Sequence, residues 1–491
     1  MRPIRLIKII LASLTAIIVS ACCEKKQWDT SNEFLDTSHD RVQVYYDIPF
    51  KRTGTIKPRD VSEIEASNWT IGCEVIDRDF TSYDSYKEYL PKLGIKKIRL
   101  QGGWAKTEKE KGVYDWAWLD HIIDDAISRG LKPWLATSYG NPIYEGGGGT
   151  DLGGGFPVSE EALAAWDKWV EAMVTRYKTK VTEWEMWNEP NRHGAEAIAE
   201  NNIRTAEIIK RVQPHSEIAG LVMAGTSPTL MDDYLKILSD RGKLGLFKWV
   251  VYHGYIMNPD AVYDRVNELK KIISKYSSDL LLRQGENGAP SGYCPGFALR
   301  EYEWTEISQA KWDTRRMLGD LGRDIETSVF CIIDMYYQNW GKDDGTLNIK
   351  GLIQSDKTLR AVRPKTAFYS IQNVASVFDN QLERIPDFKY DINTNKSISI
   401  FGYKNVKTGL NLVTLWFDGE IPNNYFDTES VDITIKNGNF KNPVWVDIFS
   451  GRIYEIPKTD WNNSGNSYSF TGIPVYDSPV LISDKSNIKF Q

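Results

Sequence analysis

Cysteine and histidine are scarce, five of each in 491 residues, and no CxxC pair occurs. That scarcity excludes a zinc ribbon, an iron–sulfur cluster or a disulfide framework, so neither a metal nor a cofactor is expected. Charge of one sign is lacking too. Sixty basic residues against 66 acidic ones give a net charge of -6, which leaves no basic face for a phosphate backbone and removes nucleic acid from the expected partners. Nor is there an apolar run long enough to span a bilayer; the stretch 9–19 is too short. Twenty Pro and 37 Gly, with 41% hydrophobic residues, are ordinary globular usage rather than that of a disordered chain. Aromatic residues, in contrast, are plentiful: 17 Trp, 25 Tyr and 17 Phe. The length suits one barrel-sized domain plus a smaller one, or about three ordinary domains.

The first residues have the form of a targeting segment. Arg2, Arg5 and Lys8 precede the short apolar run, and small residues follow, as in a secretory signal peptide covering 1–21. Val19-Ser20-Ala21-Cys22 resembles the bacterial lipobox, in which the cysteine is lipidated and becomes the new N-terminus. The resemblance implies lipid anchoring at Cys22 to a bacterial cell envelope, periplasmic or surface-facing at the outer membrane. Residues 22–40 then read as a polar tether.

From about residue 56 to 380, short apolar runs alternate with longer amphipathic stretches. Eight strands are expected, at 70–75, 97–101, 132–137, 183–187, 217–224, 248–253, 280–284 and 328–334. Helical patterns fall at 83–93, 116–129, 160–177, 195–213, 229–239, 261–276, 306–321 and 363–378. Eight strands each followed by a helix is the count of a closed (β/α)8 TIM barrel. An open doubly wound sheet would want a GxGxxG turn after its first strand, and Ile71-Gly72-Cys73-Glu74 offers none. From 381 to 491 the texture becomes period-two alternation punctuated by Asn437-Gly438, Ser450-Gly451 and Thr471-Gly472, which predicts an antiparallel β-sandwich. Residues 41–55 alternate likewise and are expected to supply a strand that joins the sandwich. The Gly-rich stretch 145–156 lacks the Gly-Lys-Ser/Thr ending of a phosphate cradle and reads as a mobile loop over the third strand.

In a (β/α)8 enzyme the reacting groups stand at the C-terminal ends of strands. Two glutamates fall there: Glu189, in Trp187-Asn188-Glu189-Pro190 after the fourth strand, and Glu286, in Gln284-Gly285-Glu286-Asn287 after the seventh. Two carboxyls facing each other across a barrel mouth can divide nucleophilic attack and proton transfer between them, provided their surroundings push their pKa values apart. Glu185 has the same strand parity as Glu189 and is expected to form a structural ion pair inside the barrel.

These motifs resemble a large clan of retaining (β/α)8 glycoside hydrolases, whose acid/base lies in an Asn-Glu-Pro after strand four and whose nucleophile ends strand seven. The resemblance implies Glu189 as acid/base and Glu286 as nucleophile, with Asn188 bonding the sugar 2-hydroxyl and Arg99 contacting the nucleophile. It further implies that His253 and Tyr255, in Val251-Tyr252-His253-Gly254-Tyr255, stand beside the nucleophile and that Trp340 forms an aromatic platform; Trp104 is expected at the mouth as well. At family level, Gly102-Gly103-Trp104, Lys111-Gly112-Val113-Tyr114-Asp115-Trp116, Ser138-Tyr139-Gly140-Asn141-Pro142 and Ile473-Pro474-Val475-Tyr476-Asp477-Ser478-Pro479-Val480 look most like glycoside hydrolase family 39. The departure is Gly285-Glu286-Asn287-Gly288, which differs from the Thr-Glu-Phe/Trp pattern of that family's xylosidases. The expectation is a lipid-anchored retaining glycosidase that acts on a plant or host glycan with a carboxyl separation of about 5 Å. The alternative is a catalytically silent glycan-binding surface lipoprotein.

Overall fold

The computed structural model describes residues 42, 44–338 and 345–491. The signal segment, Cys22, the tether and Trp340 lie outside the described residues.

Eight parallel strands close into a barrel. They are β1 Trp69–Gly72, β2 Lys97–Gln101, β3 Lys132–Ala136, β4 Glu183–Glu185, β5 Glu217–Ala224, β6 Trp249–His253, β7 Leu281–Asn287 and β8 Glu326–Val329. Closure is made by β1 on β8, with Trp69 opposite Thr327 and Ile71 opposite Val329. Long helices follow seven of the strands: α1 Ala117–Ser128, α2 Glu160–Tyr177, α3 Gly194–Val212, α4 Pro228–Asp240, α5 Tyr263–Tyr276, α6 Glu306–Leu321 and α7 Thr366–Val377. The β1–β2 connection, expected as one helix over 83–93, is instead two short helices, Tyr83–Tyr86 and Leu90–Leu93. Pro91 explains the break. It cannot donate a backbone hydrogen bond and is tolerated only in the first turn of a new helix, where it stands.

Most outer helices bury one stripe and expose the other, but nearly every residue of α6 and α7 is buried. The reason is the second domain, which covers their outer faces. Its larger sheet has seven strands in the order Lys51–Thr55, Arg452–Glu455, Pro443–Asp447, Val480–Asp484, Asn411–Phe417, Ile398–Asn405, Leu382–Arg384. A second sheet of four strands, Tyr390–Ile392, Glu429–Ile435, Ser467–Val475 and Trp461–Ser464, completes the antiparallel sandwich. The strand that crosses from the N-terminal segment is Lys51–Thr55, paired antiparallel with Arg452–Glu455; residues 44–48 have no regular structure. Because α6 is enclosed, its polar side chains are paired, and those of Lys311 and Arg315 reach across the domain boundary. Lys311 Nζ reaches Asp477 Oδ1 at 2.6 Å, and Arg315 reaches Asp260 Oδ2 at 2.7 Å and the carbonyl of Asp418 at 3.0 Å.

Candidate active site

The strand ends converge on a cavity of about 670 Å³ whose size suits a small ligand. Its wall includes Glu74, Arg78, Tyr139, Asn188, Glu189 and Glu286, with Phe330 and Tyr337 on the β8 side.

Arg99, fully buried at the centre of β2, organises the floor. All its donors are used. Nε and Nη2 bond Glu185 Oε1 at 3.1 and 2.7 Å, Nη2 also bonds Asn188 Oδ1 at 2.6 Å, and Nη1 is shared by Glu74 Oε1 and Glu286 Oε2, each at 2.8 Å. Glu185 is therefore paired inside the barrel. Asn188 is held at both ends of its amide, since its Nδ2 donates to the Tyr139 hydroxyl at 2.8 Å.

Glu189 and Glu286 are aimed by irregular backbone. Trp187 and Glu189 adopt left-handed φ values of 63° and 48°, which cost energy for residues with a Cβ and turn the chain sharply out of β4. In β7 the register against β6 shifts between Tyr252 and His253, and against β8 between Gln284 and Asn287. Gly285 stands in this bulge, where a Cβ would lie 2.3 Å from Val251 Cγ1 and 3.2 Å from His253 Nε2. A Cβ at residue 288 would lie 2.0 Å from the Phe330 carbonyl. The departure from the xylosidase pattern at residue 285 thus has a local packing reason.

Three groups fix Glu286. Besides Arg99 on Oε2, the Tyr255 hydroxyl donates to Oε1 at 2.8 Å, and His253 Nδ1 lies 3.7 Å from Oε2. Burial alone would raise the Glu286 pKa, but the His253 and Arg99 charges and the two hydrogen bonds outweigh it and hold the carboxyl below the usual carboxylate range. His253 Nδ1 also contacts Glu189 Oε1 at 2.8 Å. Burial lowers the imidazole pKa, while Glu286 and then Glu189 raise it; the net direction is up. Tyr255 is pushed well above the ordinary phenol value by burial and by Glu286, so it serves as a donor.

Glu189, His253 and Glu286 each bring one oxygen or nitrogen within 4.8 Å of the others. Arg99 and Tyr255 donate to the two Glu286 oxygens, and His253 Nδ1 is hydrogen-bonded to Glu189 Oε1. One carboxylate oxygen of Glu189 and one of Glu286 lie within 4.8 Å of each other.

Other side chains differ in placement from what their sequence positions suggest. Trp104 is in the cavity wall but fully buried: its Nε1 donates to Glu108 Oε2 at 2.5 Å, and its ring stacks on Tyr144 and Trp169. Trp187 is likewise packed between Phe156 and Trp166. His193 lies against the Phe156 ring. The Gly-rich stretch is tied to the segment before it through Gly140 N to Gly149 O and Asn141 N to Gly147 O, both 2.8 Å, and folds on itself so that a Cβ at Gly148 would meet the Gly155 carbonyl at 2.0 Å. Only backbones without side chains pack this closely, and the fold brings residues 150–153 to the cavity rim.

Sequence reasoning missed Glu74, Arg78 and Tyr139. Arg78 bonds Gln101 Oε1 at 2.8 Å and lies 4.9 Å from the centre of the Tyr139 ring. A carboxylate two residues after the apolar run of β1 was the available signal for Glu74.

Residues 78–143 match a glycoside hydrolase 42 family model described as beta-galactosidase. Among curated proteins, the aryl-phospho-beta-D-glucosidase BglA of Bacillus subtilis (strain 168) is 22% identical over 268 residues. The match spans half of this chain and half the length of that relative. Among solved structures, a family 39 glycoside hydrolase from the gut symbiont Bacteroides cellulosilyticus WH2 superposes with a TM-score of 0.61 and 18% identity over 85% of this chain and 81% of that one. A monomeric beta-xylosidase from Caulobacter crescentus CB15 gives 0.54 and 16% over 89% and 98%. The family 39 enzyme of Xanthomonas axonopodis pv. citri gives 0.55 and 12% over 88% and 97%. The fold shared with these structures is the (β/α)8 barrel with its β-sandwich, and together with the family-model match it is consistent with the clan of barrel glycoside hydrolases, family 39 among them, that the strand-end motifs resemble.

Proposed function

We propose that this protein is a retaining glycoside hydrolase that cleaves a plant or host oligo- or polysaccharide through a covalent glycosyl-enzyme. One observation carries the reading: a carboxylate oxygen of Glu189 and one of Glu286 lie within 4.8 Å of each other in the wall of the cavity, and Glu286 is held ionised. That spacing suits direct attack by one carboxylate, whereas an inverting pair stands about 6.5–9.5 Å apart to admit a water.

In the first step a Glu286 oxygen forms a bond to the anomeric carbon while the bond to the leaving oxygen breaks, and Glu189 gives that oxygen its proton. In the second, Glu189 takes a proton from water, the water oxygen bonds the anomeric carbon, and Glu286 leaves as carboxylate. Arg99 and Tyr255 keep Glu286 ionised before attack. Asn188, fixed by Arg99 and Tyr139, presents its amide to the sugar 2-hydroxyl. His253, on Glu189 Oε1, holds the acid/base carboxyl in place through both steps.

The test is hydrolysis of a panel of aryl glycosides by the wild type and by Glu286→Gln. Loss of turnover in a folded variant supports the reading. Glycan binding without turnover by the wild type across the panel replaces it with the silent binding protein.

The localisation proposed with this activity is the bacterial envelope, through lipid on Cys22. Labelled fatty acid should enter the wild type and not Cys22→Ser, which should leave the membrane fraction; equal labelling of the two overturns the anchor.

A further inference from the structure

One guanidinium serves three carboxylates at the cavity floor: Arg99 meets Glu74, Glu185 and Glu286. Glu74 is the member the proposed chemistry does not use. It is 2% exposed, and while its Oε1 accepts from Arg99 Nη1, its Oε2 has no hydrogen-bond partner among the described residues. That oxygen is folded back over β1, where a Cβ at Gly72 would lie 2.2 Å from it. A Cβ at residue 72 would push the carboxyl out of this position.

A buried carboxylate oxygen without a donor is strongly disfavoured, and a neutral carboxyl much less so. The groups that face Glu74 reinforce this. They are Arg99 from β2, Glu286 from β7, Tyr255 beyond β6, Tyr86 in the β1–β2 connection, Cys73 beside it and Cys331 beyond β8. Arg99 is the one guanidinium among them, and Glu185 already takes part of its charge. Burial pushes Glu74 up to about 7 against the pull of Arg99, and the Glu286 charge adds to the rise.

We propose that Glu74 is a positioning residue which keeps its proton in the working protein, so that its Oε1 orients Arg99 Nη1 while the guanidinium charge is left to Glu286. The proposal rests on the reading of Glu286 as nucleophile. When Glu74 ionises, two adjacent carboxylates compete for the same nitrogen, and Glu286 is repelled from its attacking position.

The experiment compares full-length wild type with Glu74→Gln, a neutral side chain of the same shape. The pH profile of kcat/KM should stay within about twofold of wild type at the wild-type optimum and show an alkaline limb displaced upward by about one pH unit. Glu74→Ala, which cannot orient Nη1, should lose more than about tenfold at every pH. A second readout is independent of activity. A carboxyl raised in the folded state stabilises fully below its unfolded pKa, and that stabilisation is lost as pH rises through the folded value. The Tm advantage of Glu74→Gln over wild type should therefore grow by at least about 3 °C between pH 5 and 8. Glu74→Met, neutral and of similar length, is the second variant for the Tm series. A Tm difference constant with pH overturns the retained proton, and an unmoved alkaline limb overturns the positioning role. If the wild type hydrolyses no glycoside, the nucleophile reading fails while the Tm series still decides the protonation of Glu74.

Discussion

At the N-terminal ends of the barrel strands, Lys97 and Arg283 are each shared by Glu183 and Glu326, at distances of 2.5 to 3.2 Å. At the C-terminal ends, Arg99 alone meets Glu74, Glu185 and Glu286. The two clusters stand in the same barrel, both are largely buried, and both link strands that are distant in sequence. Their charge balance differs. In the lower cluster two cations match two carboxylates, and the Arg283 guanidinium also lies 3.5 Å from the Trp249 ring centre and 4.6 Å from that of Trp134. Burial would raise Glu183 and Glu326, yet Arg283 and Lys97 outweigh it and both carboxyls fall below their ordinary range. In the upper cluster the same kind of burial meets a single guanidinium, His253 and Tyr255 stand beside Glu286, and the carboxyls separate: Glu286 goes down and Glu74 goes up. A matched cluster holds strands together. An unmatched one sets neighbouring carboxyls at different proton affinities.

The comparison can be broken most sharply at Glu286. Glu286→Gln should lower kcat on an aryl glycoside by about 10³-fold or more with the fold intact by circular dichroism; a variant with most of its activity would remove the upper cluster from the chemistry. Next in size is Glu189→Ala, for which substrates with poor leaving groups should lose about 10²–10⁴-fold while activated ones lose far less, and azide should restore turnover on the activated ones. Equal losses on both kinds of substrate would argue that Glu189 is not the acid.

Below these comes a test of the lower cluster. Arg283→Met leaves Glu183 and Glu326 buried with Lys97 alone and should cost about 3–5 kcal/mol in urea unfolding. The activity of the protein that stays folded should hold, and a selective fall in kcat would mean that the two ends are coupled. The smallest effect is the acid limb of stability. Carboxyls depressed in the folded state contribute stability above the unfolded pKa and lose it as pH falls through the folded one, so Glu183→Gln should flatten the acid-side loss by about 1 kcal/mol. Glu74 acts with the opposite sign, on the neutral side. Unfolding midpoints measured from pH 3 to 8 separate the two.

Much of the site could be read from the chain because each element is local. Glu189 follows an apolar strand in a turn signalled by Pro190, and Glu286 follows another. Arg99 and Glu185 sit at inward parity on strands whose period is plain. The strand boundaries were less legible: β7 runs through Glu286 to Asn287 because a bulge at Gly285 extends it, and β8 stops at Val329 rather than 334. The burial of Trp104 was not legible, since a tryptophan after a strand end has the same sequence context whether its ring faces a ligand or Trp169. Nor was Glu74. Its importance comes from sharing Nη1 with a residue more than two hundred positions away.

By itself the sequence determined the alternation of strand and helix, the sandwich texture after 380 and the residue types at the strand ends, because each rests on the spacing of neighbours along the chain. Tertiary structure decided which carboxyls share one cation. That depends on distances across a closed barrel and on how much water burial removes, and these two quantities set proton affinity.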